Sequence, residues 1–233
     1  MTARKPVGLF LAGTDTGVGK TYVGALIAAA LVRQGLRVGV YKPAESGLSP
    51  DEPDDATILW EAAGRPRTLQ EVCPQRFSAP LAPYLAAREE GKEIDEALLF
   101  DGLAPWLESS DIVLVEGAGG LMSPISDDLF VADLAYEFGF PLVIVARNVL
   151  GSINQTLQTL ITAAAFRDGL ETAGVVLNHP QPPGDGDVSL ATNRREIERR
   201  SGPPVLAEVA WNAREFDAQV DWFRLAKPPR AER

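Results

Sequence analysis

Histidine and cysteine each occur once in the 233-residue chain, and acidic residues outnumber basic ones, 32 to 22. The lone cysteine, Cys73, excludes an intramolecular disulfide framework. The lone histidine, His179, stands beside Pro180 in a loop-like segment and reads as solvent-facing, so neither a histidine-based metal site nor a catalytic triad is expected. The net charge of −10 argues against a general binder of nucleic acid or acidic membranes. It leaves room for an anionic ligand held in a local pocket. No apolar run reaches the ~18 uninterrupted residues of a membrane span, and no internal repeat is visible. The opening MTARKPVGLFLAG does not read as a signal peptide, because its apolar run passes straight into a glycine-rich loop. These absences predict a cytoplasmic protein.

Apolar residues make up 45% of the chain, which suits a folded core and not a disordered composition. One domain over residues 1–233 is expected, with a flexible tail at about 224–233, and HPQPPGDGD (179–187) reads as a flexible loop. Strands are predicted at 7–12, 37–43, 111–117, 141–147, 173–178 and 203–210. Helices are predicted at 20–34, 55–64, 93–108, 152–168 and 195–200. Strands apolar on both faces, separated by helices, imply a parallel sheet covered on both sides. Such sheets bind ligands at the carboxyl ends of their strands.

The segment Gly13-Thr14-Asp15-Thr16-Gly17-Val18-Gly19-Lys20-Thr21 lies between the first strand and the first helix. A glycine-rich turn there points backbone N–H groups into one concavity, and the helix N-terminus adds partial positive charge. Lys20 can reach the β- and γ-phosphates of a nucleotide, and the Thr21 hydroxyl can ligate Mg²⁺. The common loop has a glycine where this chain has Thr14; here it sits at Gly13, so the loop is one residue longer. The expected architecture is an α/β, P-loop NTPase-like three-layer fold with a mostly parallel central sheet.

Other polar residues stand at strand ends. Lys42 follows VGVY, and is either a solvated strand-end lysine or a cation at the ligand edge; Ser46 follows in a turn. Glu116 ends DIVLVEG, where a carboxylate is costly to bury without a partner. Gly117, Gly119 and Gly120 allow close backbone approach to a phosphate or substrate. Asp54 and Asp55 open a helix, where capping is the ordinary use of Asp. Thr21, Asp55 and Glu116 would supply a plausible oxygen set for a hard cation. Asn178 ends a strand as either a turn residue or a reader of an adenine edge.

Taken together, these segments resemble the dethiobiotin synthetase family. GTDTGVGKT, YKPAESG, DDATIL, VLVEGAGGLMSPIS, LGSIN (150–154) and GVVLN (174–178) fit its motifs in order, over roughly residues 7–210. The chain departs from the family pattern at Gly17, where many members carry Glu, at Tyr84, where some carry His, and at AEVAW (207–211). The resemblance implies ATP-dependent closure of 7,8-diaminononanoate and CO₂ to dethiobiotin, through a carbamate and a carbamic-phosphoric anhydride. It implies Lys20, Lys42, Thr16 and Ser46 as catalytic residues. ATP contacts are implied at Thr16, Gly17, Val18, Gly19, Lys20, Thr21, Asp55, Glu116, Gly117, Ala118, Gly119 and Asn178, and at Glu208, Val209 and Ala210. Mg²⁺ falls to Thr21, Asp55 and Glu116. Substrate contacts fall to Thr16, Lys42 and Ser46, and to Gly151, Ser152 and Asn154 of a neighbouring subunit in a homodimer.

Three other readings are weaker. A switch ATPase of the partition and septum-placement type has a second loop lysine, where this chain has Asp15, and this chain shows no basic DNA-binding face. A ligase acting on cobyrinate usually adds a glutamine-hydrolysing domain with a nucleophilic cysteine, and Cys73 is not in a nucleophile turn. A catalytically inert nucleotide-binding subunit has no evident reason to keep Lys20, Lys42, Ser46 and Glu116.

Overall fold

The computed structural model describes residues 7–51, 53–182 and 188–229. Part of the predicted flexible loop (183–187) and the end of the tail (230–233) lie outside the described residues.

Six parallel strands form the central sheet: β1 (Val7–Gly13), β2 (Val38–Tyr41), β5 (Ile112–Gly120), β6 (Leu142–Arg147), β7 (Thr172–Asn178) and β8 (Val205–Val209). Their order is β2-β5-β1-β6-β7-β8. All six correspond to the predicted strands. Side chains of a strand alternate between faces, and consecutive residues of β1, β2, β5 and β6 are buried, so both faces of the sheet are covered. A second, two-stranded parallel sheet pairs β3 (Ala44–Glu45) with β4 (Gln75–Arg76). It was not foreseen: Pro43 interrupts the apolar run after β2, and two-residue strands carry no periodicity.

The predicted helices at 20–34 and 55–64 are α1 (Lys20–Arg33) and α2 (Asp55–Ala62). The single helix predicted at 93–108 is in fact two, α5 (Glu96–Asp101) and α6 (Ala104–Ser109). The cause is Tyr41, whose hydroxyl donates to the carbonyls of Leu98 and Leu99 at 2.9 and 3.0 Å. Gly102 packs directly over it, where a Cβ would meet the hydroxyl oxygen at 2.3 Å. Pro105 then re-opens the chain in the first turn of α6. The helix predicted at 152–168 is α8 (Ser152–Ala165), ended by Arg167 and Gly169 in left-handed conformation. The helix predicted at 195–200 is longer, α9 (Leu190–Arg200). Four more were not anticipated: α3 (Leu69–Val72), α4 (Pro83–Glu89), α7 (Val131–Phe138) and α10 (Trp222–Leu225). Seven of the eight residues of α7 are buried, and its polar side is reduced to Asp133 and Glu137, both paired with Arg167. Its Phe138 sits among Phe10, Tyr41, Phe100 and Phe140, at ring-centroid distances of 6.1 to 6.4 Å.

The strand order reverses direction at β1. From β1 the chain crosses to β2 on one side, while β5 and β6 flank β1 on opposite sides. The carboxyl ends of these strands therefore open onto a crevice, the favoured ligand position in such sheets.

Candidate active site

Between Gly13 and Lys20 the loop wraps the N-terminus of α1. Gly17 and Gly19 have φ of 70° and 89°, left-handed values that a side chain would strain. A Cβ on Gly19 would also lie 2.1 Å from Asn178 Nδ2. Val18 is fully buried and anchors the loop, and its carbonyl accepts from Asn178 Nδ2 at 2.9 Å. The first turn of α1 contains no acidic residue of its own, so the helix brings unpaired N–H groups and partial positive charge to this end of the sheet.

Lys20, Lys42, Thr21, Asp55 and Glu116 converge here from four elements. Lys42 is nearly inaccessible and donates to Glu116 Oε1 at 2.6 Å and Asp55 Oδ2 at 2.7 Å. Burial alone would depress its ammonium, but Glu116 and Asp55 overcome that and hold it above its ordinary value. Burial lowers the pKa of Lys20, and the nearby Lys42 charge adds to the effect. The Thr21 hydroxyl donates to Glu116 Oε1 at 2.8 Å. Burial works to raise the Asp55 pKa, but Lys42 and Thr21 draw it below its ordinary value. Glu116 Oε2 is buried with no partner.

Asp54 and Asp55 divide their work. Asp54 caps α2, its Oδ1 accepting from Thr57 N at 2.8 Å, and turns its other oxygen to Arg76. Asp55 faces Lys42.

Lys20, Thr21, Lys42 and Asp55 line a cavity of about 680 Å³ together with Thr16, Gly17, Gly19, Ser46, Ala118 and Gly119, while Glu116 is not in the lining and meets it through Lys42 and Thr21. Ile58, Pro80, Leu81, Pro83 and Pro124 add apolar lining. Ser46 Oγ donates to Leu81 O at 2.5 Å. Val18 and Gly117 stand behind the lining. A Cβ on Gly117 would strike Val131 Cγ1 at 2.5 Å, so this glycine serves packing against α7. Tyr84 lies outside the cavity, with the Arg88 guanidinium 5.7 Å from its ring centroid. Cys73 is buried, and burial pushes its thiol well above its ordinary pKa, so it is no nucleophile.

At the ends of β7 and β8, Asn178 is buried, its Oδ1 unpartnered. Its neighbour His179 corrects the sequence reading. The imidazole is largely covered, with Nε2 2.5 Å from Glu208 Oε1 and 3.2 Å from Asn148 Nδ2. Asn148 Nδ2 also donates to Glu208 at 2.6 Å, and Asn193 Nδ2 donates to Asn148 Oδ1 at 2.8 Å. These partners come from separate elements, which a proline-flanked loop position does not reveal. Val209 is buried and Ala210 exposed.

Gly151, Ser152 and Asn154 lie outside the cavity lining. Gly151 has φ of 96° and starts α8. The Ser152 hydroxyl is buried without a partner, and Asn154 is exposed. Among the polar residues of the lining, Tyr22, Glu45 and Ser123 escaped sequence reasoning: the Tyr22 hydroxyl donates to Ala213 O at 2.5 Å, Glu45 is buried beside Lys42, and Ser123 Oγ accepts from Gly120 N at 2.8 Å. Glu45 lies inside the quoted YKPAESG, but nothing in the spacing marks it.

Comparison with known proteins adds three findings. A family profile described as "AAA domain" matches residues 7–215. The chain is 43% identical over 215 residues to the ATP-dependent dethiobiotin synthetase BioD of Rhodopirellula baltica, covering 86% of this chain and 82% of that protein. It is 44% identical over 204 residues to the ATP-dependent dethiobiotin synthetase BioD of Anaeromyxobacter dehalogenans strain 2CP-1, covering 88% and 90%. Among solved structures, a ParA family ATPase from Chlorobium tepidum TLS superposes with a TM-score of 0.53 at 16% identity, over 91% of this chain and 86% of that one. That likeness is one of fold alone.

Proposed function

Because the chain belongs to the ATP-dependent dethiobiotin synthetases, we propose how its cavity carries out the ATP-dependent formation of dethiobiotin in biotin biosynthesis. The substrates are 7,8-diaminononanoate, CO₂ and ATP. One amine takes up CO₂ as a carbamate. A carbamate oxygen attacks the γ-phosphorus, giving a mixed anhydride and ADP. The second amine then attacks the activated carbonyl, expels phosphate and closes the cyclic urea. Amine and carbonyl belong to one molecule, so holding them in place raises their effective concentration.

The observation that carries this reading is the convergence of Lys20 and Lys42 with Thr21, Ser46 and Asp55 on one cavity. The loop amides of residues 16–21 cradle the phosphates, and Lys20 offsets β- and γ-phosphate charge. Lys42 stabilises charge that develops between carbamate and γ-phosphate. Thr16 and Ser46 hydrogen-bond the carbamate or diamine. Asn178 Nδ2 is committed to Val18, so its free Oδ1 accepts from the adenine amino group. The backbone of Glu208, Val209 and Ala210 lies beside the base.

The residues fit Mg²⁺. Glu116 Oε2 is buried and unpartnered, and Thr21 and Asp55 add hard oxygen donors. Among the described residues no cluster of three or more His, Cys, Asp or Glu side chains could hold a metal alone, so phosphate oxygens and water would complete the shell. Bound there, Mg²⁺ would neutralise phosphate charge.

We further propose a cytoplasmic homodimer, in which Gly151, Ser152 and Asn154 of the partner subunit hold the substrate's far carboxylate. No described helix is long and apolar enough to cross a membrane.

The test is direct. Purified protein is mixed with bicarbonate, Mg-ATP and the diamine, and the products are read by mass spectrometry. The ring-closed urea is expected, with phosphate release suppressed when the diamine is omitted. Brisk release without diamine, and no urea with it, would refute the reading.

A further inference from the structure

Arg76 is absent from the phosphate loop and from the cavity lining, yet it ties together the two segments that flank Asp55 and Ser46. Glu45 and Arg76 are register partners on β3 and β4, and Arg76 Nε donates to Glu45 Oε1 at 2.8 Å. The other arm of the guanidinium pairs with Asp54. Glu45 uses its remaining oxygen, Oε2, to accept from Ala56 N at 3.2 Å. The residues immediately before and after Asp55 are therefore both fastened to the Glu45–Arg76 pair, one through its side chain and the other through its backbone N–H.

Asp55 itself takes no part in this network and points the other way, to Lys42. On the strand side, Phe77 N donates to Glu45 O at 3.0 Å, which fixes β3 against the segment after β4, and Ser46 is the next residue. Glu45 is buried to 3% exposure, and burial raises its carboxyl above the ordinary value against the pull of Lys42 and Arg76. A planar guanidinium can serve two carboxylates at once with fixed geometry, which an ammonium cannot.

We propose that Arg76 is a positioning residue. Through Glu45 and Asp54 it sets the start of α2 so that the Asp55 carboxylate lies against Lys42 and Thr21, and so shapes the place for a nucleotide-bound divalent cation. It touches neither nucleotide nor substrate. The proposal rests on the reading of Asp55 as a cation ligand.

The test measures Mn²⁺ binding in the presence of ADP by electron paramagnetic resonance, which is independent of turnover, alongside the thermal midpoint of each variant. Loss of groups that orient metal ligands typically weakens metal affinity roughly 10–100-fold. Arg76→Met is expected to weaken Mn²⁺ binding within that range, and Arg76→Lys to recover part of it. Asp54→Asn keeps an oxygen to cap α2 but loses the charge that faces Arg76. It is expected to act in the same direction more mildly, and it carries the test if Arg76→Met does not fold. Asp55→Asn is the control for the underlying reading. If it loses Mn²⁺ while Arg76→Met and Asp54→Asn bind as wild type and only melt lower, Arg76 is a structural prop and the proposal fails alone. If Asp55→Asn also binds as wild type, the cation reading fails and takes the proposal with it.

Discussion

At the scale of single residues, the centre of the site is an ammonium held between two carboxylates. Removing Lys42 would strand Glu116, which is 1% exposed, and breaking a buried pair in this way costs about 3–5 kcal/mol. Lys42→Ala is therefore expected to melt lower and to lose turnover by about 10²–10³-fold, the usual cost of one preorganised charge-stabilising donor. Calorimetry should find ATP binding little changed, because the loop and Lys20 remain; wild-type turnover would refute the role. The same cluster fixes a pH dependence. Asp55 is held below its ordinary pKa of 3.8, so its contribution to stability is present above that value and is lost as the pH falls through the lower folded one. Lys42 is held above its ordinary 10.5, so its contribution is present below that value and is lost only in stronger alkali. The difference in urea midpoint between wild type and Asp55→Asn should thus be level from roughly pH 5 to 9 and shrink below about pH 4. A difference that changes between about pH 6 and 8 would contradict the assignment. Lys42 and Glu116 could be picked out in the sequence because each stands at the end of an apolar strand, whereas Ser46, in a turn, was marked only by the family resemblance. Arg76 could not, because Glu45 lies 31 positions away and their pairing exists only once β3 and β4 are side by side.

At the scale of elements, the six sheet strands were legible because both of their faces are buried, which leaves unbroken apolar runs between turn residues. Helices that depend on one tertiary contact were not. The split between α5 and α6 follows from Tyr41 reaching the carbonyls of Leu98 and Leu99, a contact made from a distant strand. Gly102 reads from sequence as a tolerable glycine inside a helix; in the fold it is the gap that admits the phenol. Gly102→Ala would push a methyl group into the Tyr41 hydroxyl and to within 3.0 Å of Leu98 O. Overpacking of this kind costs about 1–3 kcal/mol. The phenol oxygen is the nearest obstacle, so the same substitution in a Tyr41→Phe background should cost less. A double-mutant cycle by denaturant unfolding reads the coupling; additive effects would show that the glycine answers to something other than that hydroxyl.

At the scale of the whole molecule, α8 presents two different faces. Ser152, Thr156, Leu160 and Ala163 turn inward. On the outer side, Leu150 is 84% and Ile161 67% exposed. Leu150 lies just before the cap residue Gly151 and Ile161 lies on the helix itself, so exposed apolar groups occur both at the start of α8 and along it. Large exposed apolar groups can mark a contact region, and Leu150 adjoins Gly151, Ser152 and Asn154, the segment proposed to reach a partner's substrate. Ile161 is well removed from that segment along the helix, so a change there tests assembly without touching the proposed carboxylate contacts. Ile161→Glu would place a charge within the proposed contact, and sedimentation should show the proposed dimer shifted toward monomer at micromolar protein. Because the far carboxylate then loses its partner, KM for the diamine should rise about tenfold or more, the order expected when a charge-assisted contact worth about 1.5–3 kcal/mol is lost. Calorimetric ATP binding should stay close to wild type, since the phosphate loop, Lys20 and Asn178 come from one subunit. A variant that sediments as wild type would remove α8 from the interface, and a monomer with an unchanged KM would place the carboxylate site within a single chain.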